Sequence, residues 1–398
     1  MLTDAIPSLR GRLLNSLKLR AAAARVGSDA PVYSLAPVFL GDPNRFGNQP
    51  QYRLDPTLAN AELKPEITRS DEVGAEIAMF DNRVTVDASA YRKSTHNQIF
   101  DVDVSGASGF TRKWINAGEI SNKGIEALLG LDLFRNSTGF SWNSTFNYAR
   151  NRSKVVDLAP DVDAILLGTG GFGEVRVEAR RGEPYGVIRG YKFRRNDAGQ
   201  LLIGNNGRPL READQSNLGT IQPDWTGGWG NQFTWGNFAL NTLLDIKRGG
   251  KLYSVTQMFG EYAGVLESSL HGREVDWNKP GIVVEGVNVN TGQPNTVNIT
   301  AERYYHGLFG FTENYVYDAS YTKLRELRLT YSLPGSWANR ILGARGASIS
   351  FTGRNLVTWK NVPNIDPEFA YSSRNDQGIE VNMSPNPRSF GFNLRVIP

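Results

Sequence analysis

Ten stretches of this sequence alternate apolar and small polar residues with a period of two, and the connections between them are by turns short and long. Successive side chains of a strand leave opposite faces, so this alternation predicts β-structure. In FSWNSTFNYAR, Phe140, Trp142, Phe146 and Tyr148 fall on one face, and Ser141, Asn143, Thr145 and Asn147 on the other. RVTVDASAY, LRELRLTYSL and SFGFNLRV repeat the pattern. Strands are predicted near residues 12–25, 71–80, 83–97, 117–134, 140–156, 224–235, 237–248, 319–333, 346–359 and 387–397. Asp81-Asn82, RNSTG and Gly236-Asn237 supply tight-turn chemistry at three junctions, and PGSWANRILGARG makes a slightly longer fourth. Every other connection (26–70, 98–116, 157–223, 249–318 and 360–386) is long and rich in Gly, Pro, Asn and Asp.

A soluble sandwich gives no reason for strict alternation of connection length. A transmembrane barrel does, with short periplasmic turns on one rim and long extracellular loops on the other. A tilted spanning strand needs only about 9 to 11 residues, which these stretches provide. Trp114, Trp142, Trp225, Trp229, Trp235, Tyr317, Tyr321, Tyr331 and Trp359 are expected near strand ends, where an interfacial girdle would put them. The fold class that follows is all-β, an antiparallel transmembrane β-barrel segment. Nowhere is there the run of roughly 18 to 20 apolar residues that a membrane helix needs, so a helical membrane protein is excluded. The basic, alanine-rich N-terminus lacks the continuous apolar core of a signal peptide, and Leu17, Leu19, Ala21 and Ala23 alternate there like a strand.

Catalytic readings find little to hold. With no cysteine, thiolate metal sites and a cysteine nucleophile are excluded, and His96, His271 and His306 are far apart in sequence. Lys and Arg number 44 against 40 Asp and Glu, without a basic cluster along the chain, so no nucleic-acid partner is expected. Gly168, Gly170 and Gly173 satisfy a dinucleotide-type glycine spacing, but EVRVEARR follows and alternates like a strand, so no helix N-terminus holds a phosphate. Asp157, Asp161 and Asp163, with Asp101 and Asp103, leave a loop-bound calcium as an open alternative to solvated carboxylates, and no other cofactor is implied. In INAGEISNKGIEALLGLD, Glu119 and Glu126 lie on opposite faces of one strand, roughly 23 Å apart at about 3.3 Å per residue, too far to pair as glycosidase acids. Glu119 and Lys123 are expected near the outer rim. On the polar faces, Glu126, Asp132, Asn143, Asn147, Glu326 and Arg328 are candidates to line a lumen, and Ile125 through Leu133 to meet lipid. In the long loops, Tyr185, Tyr191, Trp277, Tyr304 and Tyr305 are candidates to stack on a sugar ring or a peptide side chain, with packing within the loops as an equal alternative.

NAGEISNKGIE closely resembles a signature of the SusC/RagA-like TonB-dependent outer-membrane receptors. LNSLKLRAAAARVGSDAP, LKPEITRSDEVGAEIAMFDNRVTVDASAYRKSTHNQIF, GEPYGVIRGYKF, QPDWTGGWGNQFTWGNFAL, ASYTKLRELRLTYSLP, SFTGRNLVTW and SPNPRSFGFNLRV continue the likeness in order across nearly the whole chain. What the resemblance implies is an energised importer of oligosaccharides or peptides in the outer membrane of a Gram-negative, Bacteroidetes-like cell. It further implies a SusD-like surface lipoprotein as lid and a TonB complex acting through an N-terminal plug and TonB box. Residues 1–398 would then be the C-terminal part of such a barrel, without signal peptide, TonB box or plug, holding ten of about 22 strands. Two unpaired edges would leave such a segment incompetent for transport by itself. The usual terminal aromatic is replaced by Val396-Ile397-Pro398, with Phe392 the nearest aromatic on that face. A secreted β-rich carbohydrate-binding or adhesin protein is the alternative, and a soluble glycoside hydrolase a distant third.

Overall fold

The computed structural model describes residues 1–136, 139–160, 162–170, 174–273, 281–368 and 377–398, with the side chains of 44–46 set aside. The alternating stretches form one ten-stranded antiparallel sheet. Its strands are β1 (Leu14–Ser28), β2 (Glu66–Met79), β3 (Val84–His96), β4 (Glu119–Phe134), β5 (Phe140–Asp157), β6 (Trp225–Trp235), β7 (Phe238–Arg248), β8 (Tyr321–Leu333), β9 (Gly346–Lys360) and β10 (Ser389–Ile397). They pair strictly in chain order, so β1 and β10 stand at the two ends of that order. At Asp81 and Asn82 φ is 56° and 61°, the double left-handed geometry of a hairpin turn that Asn and Asp tolerate. Gly236 supplies φ 55° at the β6–β7 turn. The RNSTG turn falls partly outside the described residues.

Register makes the sheet two-faced. One row runs Leu17, Ile77, Val86, Leu129, Phe146, Trp229, Leu244, Leu324 and Val357 across nine strands, apolar throughout. The adjacent row on the other face runs Lys18, Glu76, Asp87, Leu128, Asn147, Gly228, Asp245, Lys323 and Thr358. A one-residue slip would exchange the two rows, so each strand's pattern fixes its pairing. The apolar face is uncovered, with Val73 60 % and Phe392 81 % exposed. A secreted soluble β-protein would bury such a face, whereas a bilayer covers it.

Two details suit that face to hydrocarbon. Near the short turns, Phe134, Phe140, Trp142 and Phe233 stack in sequence, with Trp142 and Phe233 centroids 5.4 Å apart, and Phe238 meets Tyr331 at 4.8 Å. Mid-sheet, Ser144 and Asn231 are buried beneath indoles. Trp229 Nε1 donates to Ser144 Oγ at 2.9 Å and Trp142 Nε1 to Asn231 Oδ1 at 3.1 Å, so neither polar group is left unmatched in apolar surroundings. The expected girdle needs four corrections. Tyr321 shares the polar face with Lys323 and its hydroxyl turns to Asp245. Trp229 sits mid-strand, while Trp114 and Tyr317 belong to short loop strands (Arg112–Asn116 and Val316–Asp318) outside the sheet.

The long connections hold more structure than their composition suggests. The largest buried apolar cluster of the described residues lies in them, drawing Val177 and Ile188 from 157–223, Tyr253, Met258 and Leu308 from 249–318, and Ile379 from 360–386. A four-stranded sheet (Ala164–Thr169, Val175–Arg180, Val187–Gly190, Ser216–Thr220) and helices Val255–Tyr262 and Ala301–Leu308 frame it. Ser254 and Thr300 cap the two helices, each side chain accepting from a backbone N–H of the first turn. The short helix Gly335–Leu342 occupies the β8–β9 junction on the opposite rim. No described helix is long and apolar enough to cross a membrane, which says nothing against crossing by strands.

Candidate functional site

Glu126, Asp132, Asn143, Asn147, Glu326 and Arg328 all fall on the polar face, as their register with Ser89, Asn143, Gln232, Gly228, Leu243 and Thr352, in that order, shows. They form separate groups. Asn143 donates to Asp132 Oδ1 at 2.6 Å, and Arg135 closes on the other oxygen. Glu326 takes Arg328 at 2.7 Å and Arg354 at 3.1 Å. Asn147 accepts the backbone N–H of Gly228. Glu126 is exposed, with no ion-pair partner among the described residues, and stands beside Gly124. Gly124 has no side chain for a reason, because a Cβ there would lie 2.3 Å from Tyr91 Cζ and 2.7 Å from the Arg150 carbonyl. The Tyr91 ring lies across that gap, and its hydroxyl donates to Asn151 at 3.3 Å. Glu119 and Lys123 lie at the loop-side end, on the other face. Glu119 there accepts from Ser94 and sits 3.4 Å from His96 Nδ1.

The strongest electrostatic feature of the polar face is one that reading the sequence missed. Lys323 is 1 % exposed, and its ammonium donates to Asp366 at 2.6 Å and Glu368 at 2.7 Å. The register shifts between Leu324 and Glu326, leaving Arg325 outside the ladder. Such a bulge re-aims a side chain, and Arg325 reaches Asp245 at 2.6 Å and Glu368 as well. Burial opposes ionisation of Glu368, yet the hydrogen bonds and charges of Arg325 and Lys323 hold its carboxyl below the ordinary glutamate value. Two wall cations therefore clamp the connection before β10 to the inner side of β8. The only sequence signal was a lysine and an arginine on a wall strand, which a buried setting obliges to find carboxylates.

The loop tyrosines divide. Tyr305 is 7 % exposed and donates to the Ser268 carbonyl at 2.8 Å, and burial pushes its hydroxyl up to about 12, so the structure assigns it mainly to packing. Tyr185 packs against a second buried cluster and is likewise pushed up to about 12 by burial. Tyr191 carries the Arg211 guanidinium 3.8 Å above its ring, and Tyr304 meets Tyr305 edge-on at 5.1 Å. Trp277 lies outside the described residues. Beside helix Ala301–Leu308 is a cavity of about 500 Å³ lined by Glu261, Tyr262, Glu302, Tyr305 and His306, where Tyr262 and His306 stack at 4.1 Å. Aromatic faces beside carboxylates and the Arg273 guanidinium suit a polyhydroxylated ligand.

The other candidates resolve into ordinary contacts. Asp101 and Asp103 turn to Arg112, and Asp157 meets Arg181 at 3.1 Å. Asp161 lies outside the described residues, among which no three His, Asp or Glu side chains converge as metal ligands. Gly168 and Gly170 edge a hairpin, since Ala164–Thr169 pairs antiparallel with Val175–Arg180, and Gly173 is outside the described residues.

Comparison with known proteins agrees with this geometry. The family described as TonB dependent receptor-like, beta-barrel matches residues 8–356. TonB-dependent receptor P3 of Formosa agariphila is 27 % identical over 367 residues, covering 85 % of this chain and 35 % of that protein. TonB-dependent receptor P26 of the same organism is 27 % identical over 369 residues with the same coverage. The chain thus spans about a third of the length of these curated relatives. A chain of the RagAB peptide transporter superposes with a TM-score of 0.73 at 18 % identity, over 99 % of this chain and 42 % of its own. The RagAB peptide importer in its open-open state gives 0.71 at 17 % identity, over 99 % and 41 %. At that identity the likeness speaks for the fold, and the fold is the SusC/RagA-like one the sequence resembles. With ten antiparallel strands, one face apolar and exposed, and a family match over most of its length, the chain belongs to the TonB-dependent receptor β-barrel family of the outer membrane.

Proposed function

We propose that this chain forms the C-terminal wall and the ligand-receiving loops of a TonB-dependent importer of oligosaccharides or peptides. In this reading the polar face, with Glu126, Asp132, Asn143, Asn147, Glu326 and Arg328, lines the path, and the apolar face meets lipid. The folded loops receive substrate through Tyr191, Tyr304 and the cavity beside His306, and they dock a SusD-like surface lipoprotein. Energy comes from a TonB complex acting on an N-terminal plug. The work done is passage, with no bond made or broken by this chain. The observation that supports it most is a wall with one continuous polar face, three of whose long connections at one rim share a buried core. Such an arrangement offers a guided path and a shaped entrance.

The test is uptake of labelled oligosaccharides and peptides by the native host, with the gene intact, deleted or restored. Accumulation of one class should need the gene and collapse when a protonophore removes the energy supply. Uptake indifferent to the gene would reject the proposal. A SusD-like lipoprotein should co-purify with the intact receptor, and its absence from gently solubilised membranes would remove that partner.

A further inference from the structure

Along the chain the cations are dispersed, but the sheet brings several of them together on the outward face. Arg25 stands opposite Arg69, Arg92 opposite Lys123, and Lys123 opposite Arg152, just above rows that are apolar. Arg150 and Lys154 extend the patch on β5. Like charges placed directly opposite each other destabilise a sheet, so three consecutive strands bearing cations in one line call for anions. The protein supplies few. Arg69 has Asp71 at 3.4 Å, the one carboxylate in line with Arg92 across the β2–β3 pair, and Arg152 has Asp224 at 2.8 Å. Arg25, Arg92, Lys123, Arg150 and Lys154 are exposed and have no ion-pair partner among the described residues.

The patch is local. On β6 to β9 the same rim carries Trp225, Thr322 and Trp359, and the cation there, Arg248, is occupied by the Tyr321 carbonyl at 2.6 Å and the Thr322 hydroxyl at 2.8 Å. Below the patch the outward rows pass through Val73, Ala90 and Ile125 and then through Ala75, Ala88 and Ala127, a shallow floor bordered by Leu19 and Tyr148. Acyl chains can lie on that floor with a headgroup at the height of Arg92, Lys123 and Arg152.

We propose that the loop-side outward rim of β1 to β5 is a binding surface for phosphate-bearing lipid headgroups of the outer leaflet. Guanidinium and ammonium groups spaced along one line match a headgroup with more than one phosphate, which each can neutralise by charge-assisted hydrogen bonds. The surface faces away from the polar path, so this assignment stands or falls apart from the identity of the transported substrate.

The experiment uses the receptor as its host makes it, extracted from outer membranes in mild detergent and washed, with bound phosphorylated lipid per protein measured by mass spectrometry. The triple variant R92Q/K123Q/R152Q should bind on the order of a hundredfold more weakly and so retain little lipid after washing, because each basic group near a headgroup layer contributes several-fold in affinity. A control that removes equal charge from exposed loop positions, R53Q/K64Q/R303Q, should retain as much as the wild type. Equal retention by the first triple variant, or equal loss in the second, would overturn the proposal. Should the first variant fail to assemble, R92K/K123R/R152K keeps the charge and is expected to hold lipid, and a charge-retaining variant without lipid would also overturn it. Inorganic phosphate held by the wild-type receptor at this rim, with no phosphorylated lipid retained, would mark an ion site instead and refute the lipid assignment.

Discussion

Lys323→Met is the sharpest test of how the loops are held to the wall. The substitution keeps the stem and deletes an ammonium that is 1 % exposed and bonded to two carboxylates. Removing one partner of a buried pair costs ~3–5 kcal/mol, because the charges left behind stay buried without compensation. One observation favours the lower end and the other keeps the loss from falling below it. Glu368 is 34 % exposed and keeps Arg325, whereas Asp366, 8 % exposed, keeps only the Glu368 backbone N–H at 3.1 Å. About 3 kcal/mol corresponds to opening on the order of a hundredfold more frequent. Hydrogen exchange of peptides covering 361–368 in the detergent-solubilised receptor reads that opening directly. Acceleration below about threefold would refute the clamp. Arg354→Ala is the matched control, since its 3.1 Å pair with Glu326 is 61 % exposed on the arginine side and should be worth about 0–1 kcal/mol.

The same clamp should respond to acid. Because the Glu368 carboxyl is held below its ordinary value when docked, its contribution is full above the unfolded glutamate pKa of about 4.3 and is lost as pH falls through the lower docked value. Proteolysis of 361–368 should therefore rise only below about pH 4, and earlier in Arg325→Gln; release beginning near neutrality would contradict this. Within the apolar band, Ser144→Ala strands the Trp229 indole N–H and should cost about 1–3 kcal/mol in thermal stability. The double variant with Trp229→Phe should recover part of that loss, and strict additivity of the two would show that the bond contributes nothing. Gly124→Ala forces the Tyr91 ring and the Arg150 carbonyl aside, at about 1–3 kcal/mol. Heat-modifiability should shift less for Gly130→Ala, whose nearest atom is the Thr85 hydroxyl at 2.5 Å; the reverse order would be evidence against this account.

The wall was legible because its physics is local. FSWNSTFNYAR needs no distant information to place Phe146 and Asn147 on opposite faces, and the observed strand Phe140–Asp157 follows the expected 140–156 closely. Asp81-Asn82 announced its turn by the backbone geometry those residues tolerate. The loop core was not legible, since its strands are short, such as Val187–Gly190 and Ile379–Glu380, and carry no sustained period. Their burial depends on partners brought from other connections. Lys323 illustrates the same limit, since its two carboxylates lie 43 and 45 residues away, and no spacing rule links them. The lumen candidates share one face because period two requires it. Tyr305 stands open between ligand contact and packing in the sequence, because an aromatic in a long loop shows nothing of its burial there.

The loop core also has something to say about the order of events in biogenesis. Ser254, just after β7, donates to Glu380, 126 residues later, and Glu380 is 1 % exposed, so the bond closes only once the segment that leads into β10 has been brought back to the one that follows β7. Long-range closure of this kind is slow and comes late. The strands can zip neighbour by neighbour while the entrance above them is still unfinished. A chain cut short before Glu380 would keep most of its wall and lose the keystone of its mouth.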